Sequence, residues 1–228
     1  DDKVLVWDWP VRVMHWGLVL AVFGAWLTRE LDGDWFAWHV RFGYTVIVIV
    51  IVRLVWGVIG TRHARFVHFI RGPKAVVRDL RDLWKRDAGG SVGHTPAGAW
   101  MIMVLLGMLL AQGLTGLFSN DQVYQTGPLF GYVTGEMSDR LTTLHKQIFD
   151  VLWIAILIHV LAAFFYLFVK RRNLIVPMFS GKKSHNDVPA GEEIHASRGV
   201  VAIAIAVVVI AALVVLIQTA PEAFLFGF

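Results

Sequence analysis

Two histidines, His145 and His159, stand fourteen residues apart in one apolar segment. Fourteen residues of α-helix rise about 21 Å and turn to within about 40° of whole turns. Both imidazoles therefore face one way at two depths, one toward each side of a bilayer. Two other apolar segments supply one further histidine each, His15 and His39, at opposite ends of their spans. Histidine inside a membrane span carries a desolvation cost that function usually explains. Two imidazoles at each of two levels are the axial donor set of low-spin haem, whose iron takes one nitrogen on either face. Zinc, which normally takes four protein ligands, is poorly served by two histidines per level.

The elements that position these residues are helices in lipid. The chain has 228 residues, 57% of them hydrophobic, with ten tryptophans and no cysteine. So apolar a composition points to an integral membrane protein. The missing cysteines exclude disulfides, iron–sulfur clusters and covalently attached c-type haem. The basic residues cluster between apolar runs, with no pattern for nucleic-acid binding. Five runs reach the length of a bilayer core: Val11–Thr28, Trp38–Ile59, Gly98–Phe118, Leu144–Val169 and Gly199–Gln218. The fold class expected is all-α and membrane-integral, with five transmembrane helices. Residues 1–183 form the di-haem domain, and 184–228 a cytoplasmic linker and the fifth helix.

Loop charge sets the expected orientation. Arg62, Arg65, Arg71, Lys74, Arg78, Arg81, Lys85 and Arg86 lie between spans two and three; Lys170, Arg171, Arg172, Lys182, Lys183 and Arg198 lie between spans four and five. The other connections carry Glu30, Asp32, Asp34, Asp121, Glu136 and Asp139. The positive-inside rule puts the N-terminus in the cytoplasm and the C-terminus outside. The chain opens on Asp1 and Asp2 with no small-residue cleavage site, so the first helix is expected to direct insertion. Residues 73–86 read as an amphipathic helix with Val76, Leu80, Leu83 and Trp84 on one face, resting on lipid or docking a partner. Gly89, Gly90 and Ser91 link it to the third span.

With that topology, His39 pairs with His145 and His15 with His159, so each haem bridges span four to a different helix. Arg53 follows His39 by fourteen residues and sits at the inner level, where it meets a haem propionate or snorkels to the headgroups. Arg12, Arg41 and Lys146 lie close to His15, His39 and His145 as further propionate candidates. Asp150 and Gln112 are polar residues within spans, suited to a proton relay or a quinone contact. His63, His68, His94, His185 and His195 read as solvated loop residues.

The stretch Trp9-Pro10-Val11-Arg12 with His15-Trp16 resembles the first span of bacterial b-type cytochromes of the cytochrome b561 and Ni-Fe hydrogenase cytochrome b group. The resemblance continues through His39, Arg53 to Trp56-Gly57, Gly113 to Phe118, and His145 with His159, over roughly residues 4 to 183. It implies a bacterial inner-membrane protein built as a four-helix haem-binding bundle plus a fifth transmembrane helix, with two b haems whose ligands carry over onto His15, His39, His145 and His159. It also implies electron exchange between the quinone pool and a periplasmic redox partner, a c-type cytochrome or a hydrogenase. The fifth span departs from the four-helix pattern and offers a contact to a partner subunit or a second copy. Two other functions compete: a self-sufficient quinone oxidoreductase acting on a small substrate such as superoxide, and an anchor or transporter whose histidines bind metal ions.

Overall fold

The computed structural model describes residues 3–31, 35–84, 92–122 and 125–221. Eight helices are described: α1 (Trp9–Glu30), α2 (Phe36–Ile59), α3 (Phe66–Phe69), α4 (Pro73–Arg81), α5 (Pro96–Leu117), α6 (Gly135–Phe168), α7 (Ile175–Ser180) and α8 (Gly199–Gln218). Of these, α1, α2, α5, α6 and α8 are long and apolar enough to cross a membrane. The protein is an all-α integral membrane protein, as the hydropathy pattern required. In lipid a helix satisfies its own backbone groups, which is why spans of this length take that form.

The chain divides into two compact units. The first comprises Asp1–His15, Arg53–Leu105 and Ala155–Ile203; the second comprises Trp16–Val52, Leu106–Ile154 and Ala204–Phe228.

The first unit is tied together by a buried carboxylate. Asp8, 1% exposed, caps α1 by accepting from the Val11 amide at 2.7 Å. Its other oxygen accepts from the Trp56 indole at 3.1 Å and from the Thr61 hydroxyl. One side chain thus satisfies an orphan helix donor and pins the start of α1 to the end of α2. Asp8→Ala strands two donors and removes the cap, at a cost of about 3 kcal/mol, to be read as a lowered unfolding midpoint in detergent. A midpoint equal to wild type would show that water replaces the carboxylate.

Two short strands complete this unit. β1 (Lys3–Leu5) pairs antiparallel with β2 (Lys182–Ser184), and the Val6 and Trp7 amides both donate to the Gly181 carbonyl. The segment after β2, read as a linker, is held in place: the Ile194 amide donates to Leu5 O, and Arg198 donates to Ile59 O at 2.9 Å.

Within the expected amphipathic segment 73–86, residues 73–84 are described and are helical throughout. Its α-helix ends at Arg81 and tightens to a 3-10 turn over Asp82–Trp84, a common way for a last turn to use its free carbonyls. Trp84 sets its ring edge-on to Phe165 of α6, centroids 5.7 Å apart. Lys85, Arg86 and the Gly89, Gly90, Ser91 link lie outside the described residues, as do Asp1, Asp2, Asp32 and Asp34.

In the second unit, four helices pack closely. A Cβ on Gly24 of α1 would meet the Phe42 ring of α2 at 2.6 Å, and one on Gly113 of α5 would meet Ile47 of α2 at 2.5 Å. Trp26 of α1 meets Trp153 of α6 edge-to-face, centroids 5.6 Å apart. α6 starts nine residues before the apolar run that announced it at Leu144. That polar extension is anchored where Ser138 donates to Phe118 O at 2.6 Å and Thr142 accepts from the Asn120 amide at 3.0 Å.

α8 is different in kind. Ala202 is its one buried residue, and Val200, Val207 and Val208 are among the exposed apolar side chains. In a bilayer that surface is solvated by lipid tails at no hydrophobic cost.

Candidate functional site

In the second unit, α2 presents His39 and α6 presents His145, with ring centroids 6.3 Å apart and planes at 80°. Each imidazole is oriented from behind by a backbone carbonyl on a neighbouring helix. His39 Nδ1 donates to Ala25 O of α1 at 2.8 Å, and His145 Nδ1 donates to Gln112 O of α5 at 2.9 Å. A carbonyl can only accept, so both protons sit on Nδ1 and both Nε2 atoms keep a lone pair. This is the usual arrangement behind a metal-ligating imidazole. The Gln112 amide nitrogen, a donor, lies 3.1 Å from His145 Nε2 and agrees with that tautomer.

A cavity of about 320 Å³ includes both rings in its lining, at the lower end of the range for cofactor sites. Glycines shape its walls. A Cβ on Gly116 would stand 3.0 Å from His145 Cε1, whereas one on Gly43 would meet nothing within 4 Å. Gly43 therefore leaves open wall, and Gly116 makes room for the ligand ring itself.

In the first unit, His15 of α1 and His159 of α6 repeat the separation: centroids 6.3 Å apart, planes at 54°. Two metal–imidazole bonds of about 2.0 Å, with about 1.1 Å from each nitrogen to its ring centre, span about 6.2 Å. Both pairs hold that distance. An aromatic contact alone would explain the spacing, but not the Nδ1 bonds that leave a basic Nε2 on His39 and on His145. Among the described residues, no group of three or more His, Cys, Asp or Glu could hold a metal ion. Two nitrogens per site suit a metal whose remaining positions a macrocycle fills. The donor set, the separation and the apolar cavity fit haem.

The basic residues singled out in the sequence take separate places. Arg53 is buried, 6% exposed; it donates to Ala64 O at 3.2 Å and lies over the Phe66 ring at 5.1 Å. Lys146 lines the cavity of the second unit. Arg41 is exposed and stacks on Trp38 at 4.8 Å, away from that lining. Arg12 donates to Phe179 O of α7. Asp150 is exposed, with no ion pair to any described residue.

Arg29 was overlooked. It lines the cavity from the last turn of α1 and lies over the Phe149 ring at 5.5 Å. The signal was available: Arg29 follows His15 by fourteen residues, as Arg53 follows His39 and His159 follows His145.

The reading of five histidines as solvated needs correction for two of them. His68, His185 and His195 are exposed, but His63 is buried and bonded through Nε2 to Glu192 O at 2.6 Å. His94 packs between Trp7 and Phe69, ring centroids 4.7 and 4.5 Å away. Contacts distant in sequence buried His63 and sealed the Nδ1 of half-buried His94, and loop position gave no sign of either.

Two imidazole pairs at this separation in a helical membrane protein are the donor arrangement of a membrane cytochrome. Residues 6–181 match the family model described as prokaryotic cytochrome b561. The chain belongs to that family, whose members carry electrons in membranes and hold haem b. It is 29% identical to a probable Ni/Fe-hydrogenase B-type cytochrome subunit of Rhodobacter capsulatus, over 81% of this chain and 83% of that one. Proteins of the same description from Bradyrhizobium diazoefficiens and Rhizobium leguminosarum bv. viciae are 23% and 24% identical, covering 87% and 91% of their lengths. No solved structure matches.

Proposed function

We propose that this chain binds two b haems, one between His15 and His159 and one between His39 and His145. Through them it carries electrons between membrane quinone and a redox partner at the periplasmic face. The observation that carries this reading is the repeated 6.3 Å separation of two imidazole pairs. The naming of its relatives as hydrogenase cytochrome subunits favours a hydrogenase-like partner over a c-type cytochrome. The prokaryotic family favours a bacterial inner-membrane protein, and the basic loops favour an N-terminus in the cytoplasm and a C-terminus in the periplasm. Residues 1–183 make up the haem-binding part, and 184–228 add the fifth helix.

When bound, haem supplies a one-electron iron couple; the rest of the mechanism is positioning. His39 and His145 present Nε2 while Ala25 and Gln112 hold their Nδ1 protons, which fixes ring orientation and strengthens both ligands. Lys146 and Arg29 offer positive charge to carboxylates at the cavity of the second unit, and Arg53 does so in the first. The apolar walls exclude water and keep the local dielectric low, so small charge changes move the potential.

Anaerobic mixing of the purified oxidised chain with a short-tailed quinol tests the quinone link. The expected result is reduction of b-type haem without any other protein present. Haem that dithionite reduces but quinol does not would remove quinone from the account.

A further inference from the structure

The first unit contains a buried cationic corner in which no described acid pairs directly with the cation, and Asp8 acts on it only through space. Arg53 is 6% exposed, and no described carboxylate lies within ion-pairing distance of its guanidinium. Its recorded bond is to a neutral carbonyl, Ala64 O. Asp8, the one buried acid among the described residues of this unit, already serves Val11, Trp56 and Thr61.

His94 belongs to the same corner. Its Nδ1 is sealed from solvent and meets no hydrogen-bond partner among the described residues. Burial, then the charges of Arg53, His63, Lys183 and His159, push its pKa down to about 3. The ring is firmly placed: Trp7 and Phe69 pack on it, and Lys183 Nζ holds the loop by donating to Val92 O at 2.7 Å. A buried polar atom without a partner costs about 1–3 kcal/mol, and a buried guanidinium without an anion costs more. Both deficits lie in the unit that holds His15 and His159, and a single carboxylate removes both.

We infer that His94 and Arg53 together form a carboxylate receptor that takes a propionate of the haem held between His15 and His159. Arg53 supplies charge and His94 a directed N–H from a rigid aromatic slot. A neutral imidazole prevented from gaining a proton elsewhere can still donate one hydrogen bond. This makes His94 a positioning residue for the cofactor and rests on the haem assignment proposed above.

The test is a redox titration of the purified full chain followed by EPR, which resolves the two haems, for His94→Phe and His94→Gln. Phenylalanine keeps the packing against Trp7 and Phe69 but has no donor; glutamine restores one. Without the donor the propionate charge is less compensated and electron uptake is disfavoured. The expected result is a fall in the midpoint potential of the His15–His159 haem in His94→Phe, partial return in His94→Gln, and an unmoved second haem. A His94→Phe chain that keeps both haems with unchanged potentials overturns the inference, as does an equal shift in both. A raised KM for quinol with unmoved potentials also overturns it and assigns His94 to quinone instead. Absence of haem from the His15–His159 pair in the wild-type chain would instead defeat the haem assignment itself.

Discussion

Replacing His159 by alanine is expected to remove one haem and leave the other, and His15→Ala is expected to produce the same lesion. The two rings lie 6.3 Å apart within one compact unit, so losing either is expected to empty that site. Haem content per chain should fall by about half in each variant. The His15→Ala, His159→Ala double variant should lose no more, because the two ligands act on one site. His39→Ala and His145→Ala should remove the other haem, recognisable by the potential that disappears from a redox titration. Pairing is the point at issue: if His15→Ala and His39→Ala abolished the same spectral component, the assignment would be wrong.

A second large effect is expected from a residue that touches no iron. Gly116→Val should empty the His39–His145 site with all four histidines in place. A Cβ there already stands 3.0 Å from His145 Cε1, and valine adds two more carbons on the same wall. α5 cannot retreat toward α2, because Gly113 one turn earlier is packed against Ile47. Overpacking of this kind costs about 1–3 kcal/mol, and here it is relieved most simply by turning the His145 ring off its Gln112 bond. Gly116→Ala should keep the haem but disturb its potential, since the ring must give by a few tenths of an ångström. Full haem content with an unchanged spectrum in Gly116→Val would mean that the ring is not confined as described.

The contrast between His159 and His94 shows what the sequence could and could not express. His159 lies in an apolar helix, where depth and azimuth follow from helical rise and rotation; its register with His145 needs no tertiary information. His94 lies in a polar connection, and its environment is made by Trp7 and Phe69, residues from other parts of the chain. Asp8 falls between these cases. An acid just before Trp9-Pro10 is a recognisable helix cap, but its bonds to Trp56 and Thr61 span 48 and 53 residues. The start of α6 at Gly135 was hidden for another reason: hydropathy marks where a helix enters lipid, not where it begins. Arg29 was legible through the fourteen-residue rule that placed Arg53, but a basic residue at the end of a span is equally an interfacial charge. β1 and β2, three residues each, carry too little pattern to announce their pairing.

The most direct test of the account is the number and ligation of haems on the purified chain, from pyridine haemochrome against amino-acid analysis with EPR of the oxidised form. Two b haems per chain, both low-spin with two imidazoles, is the predicted result. A single haem, or a high-spin signal at full occupancy, would contradict one of the two histidine pairs; a folded chain without haem would contradict both.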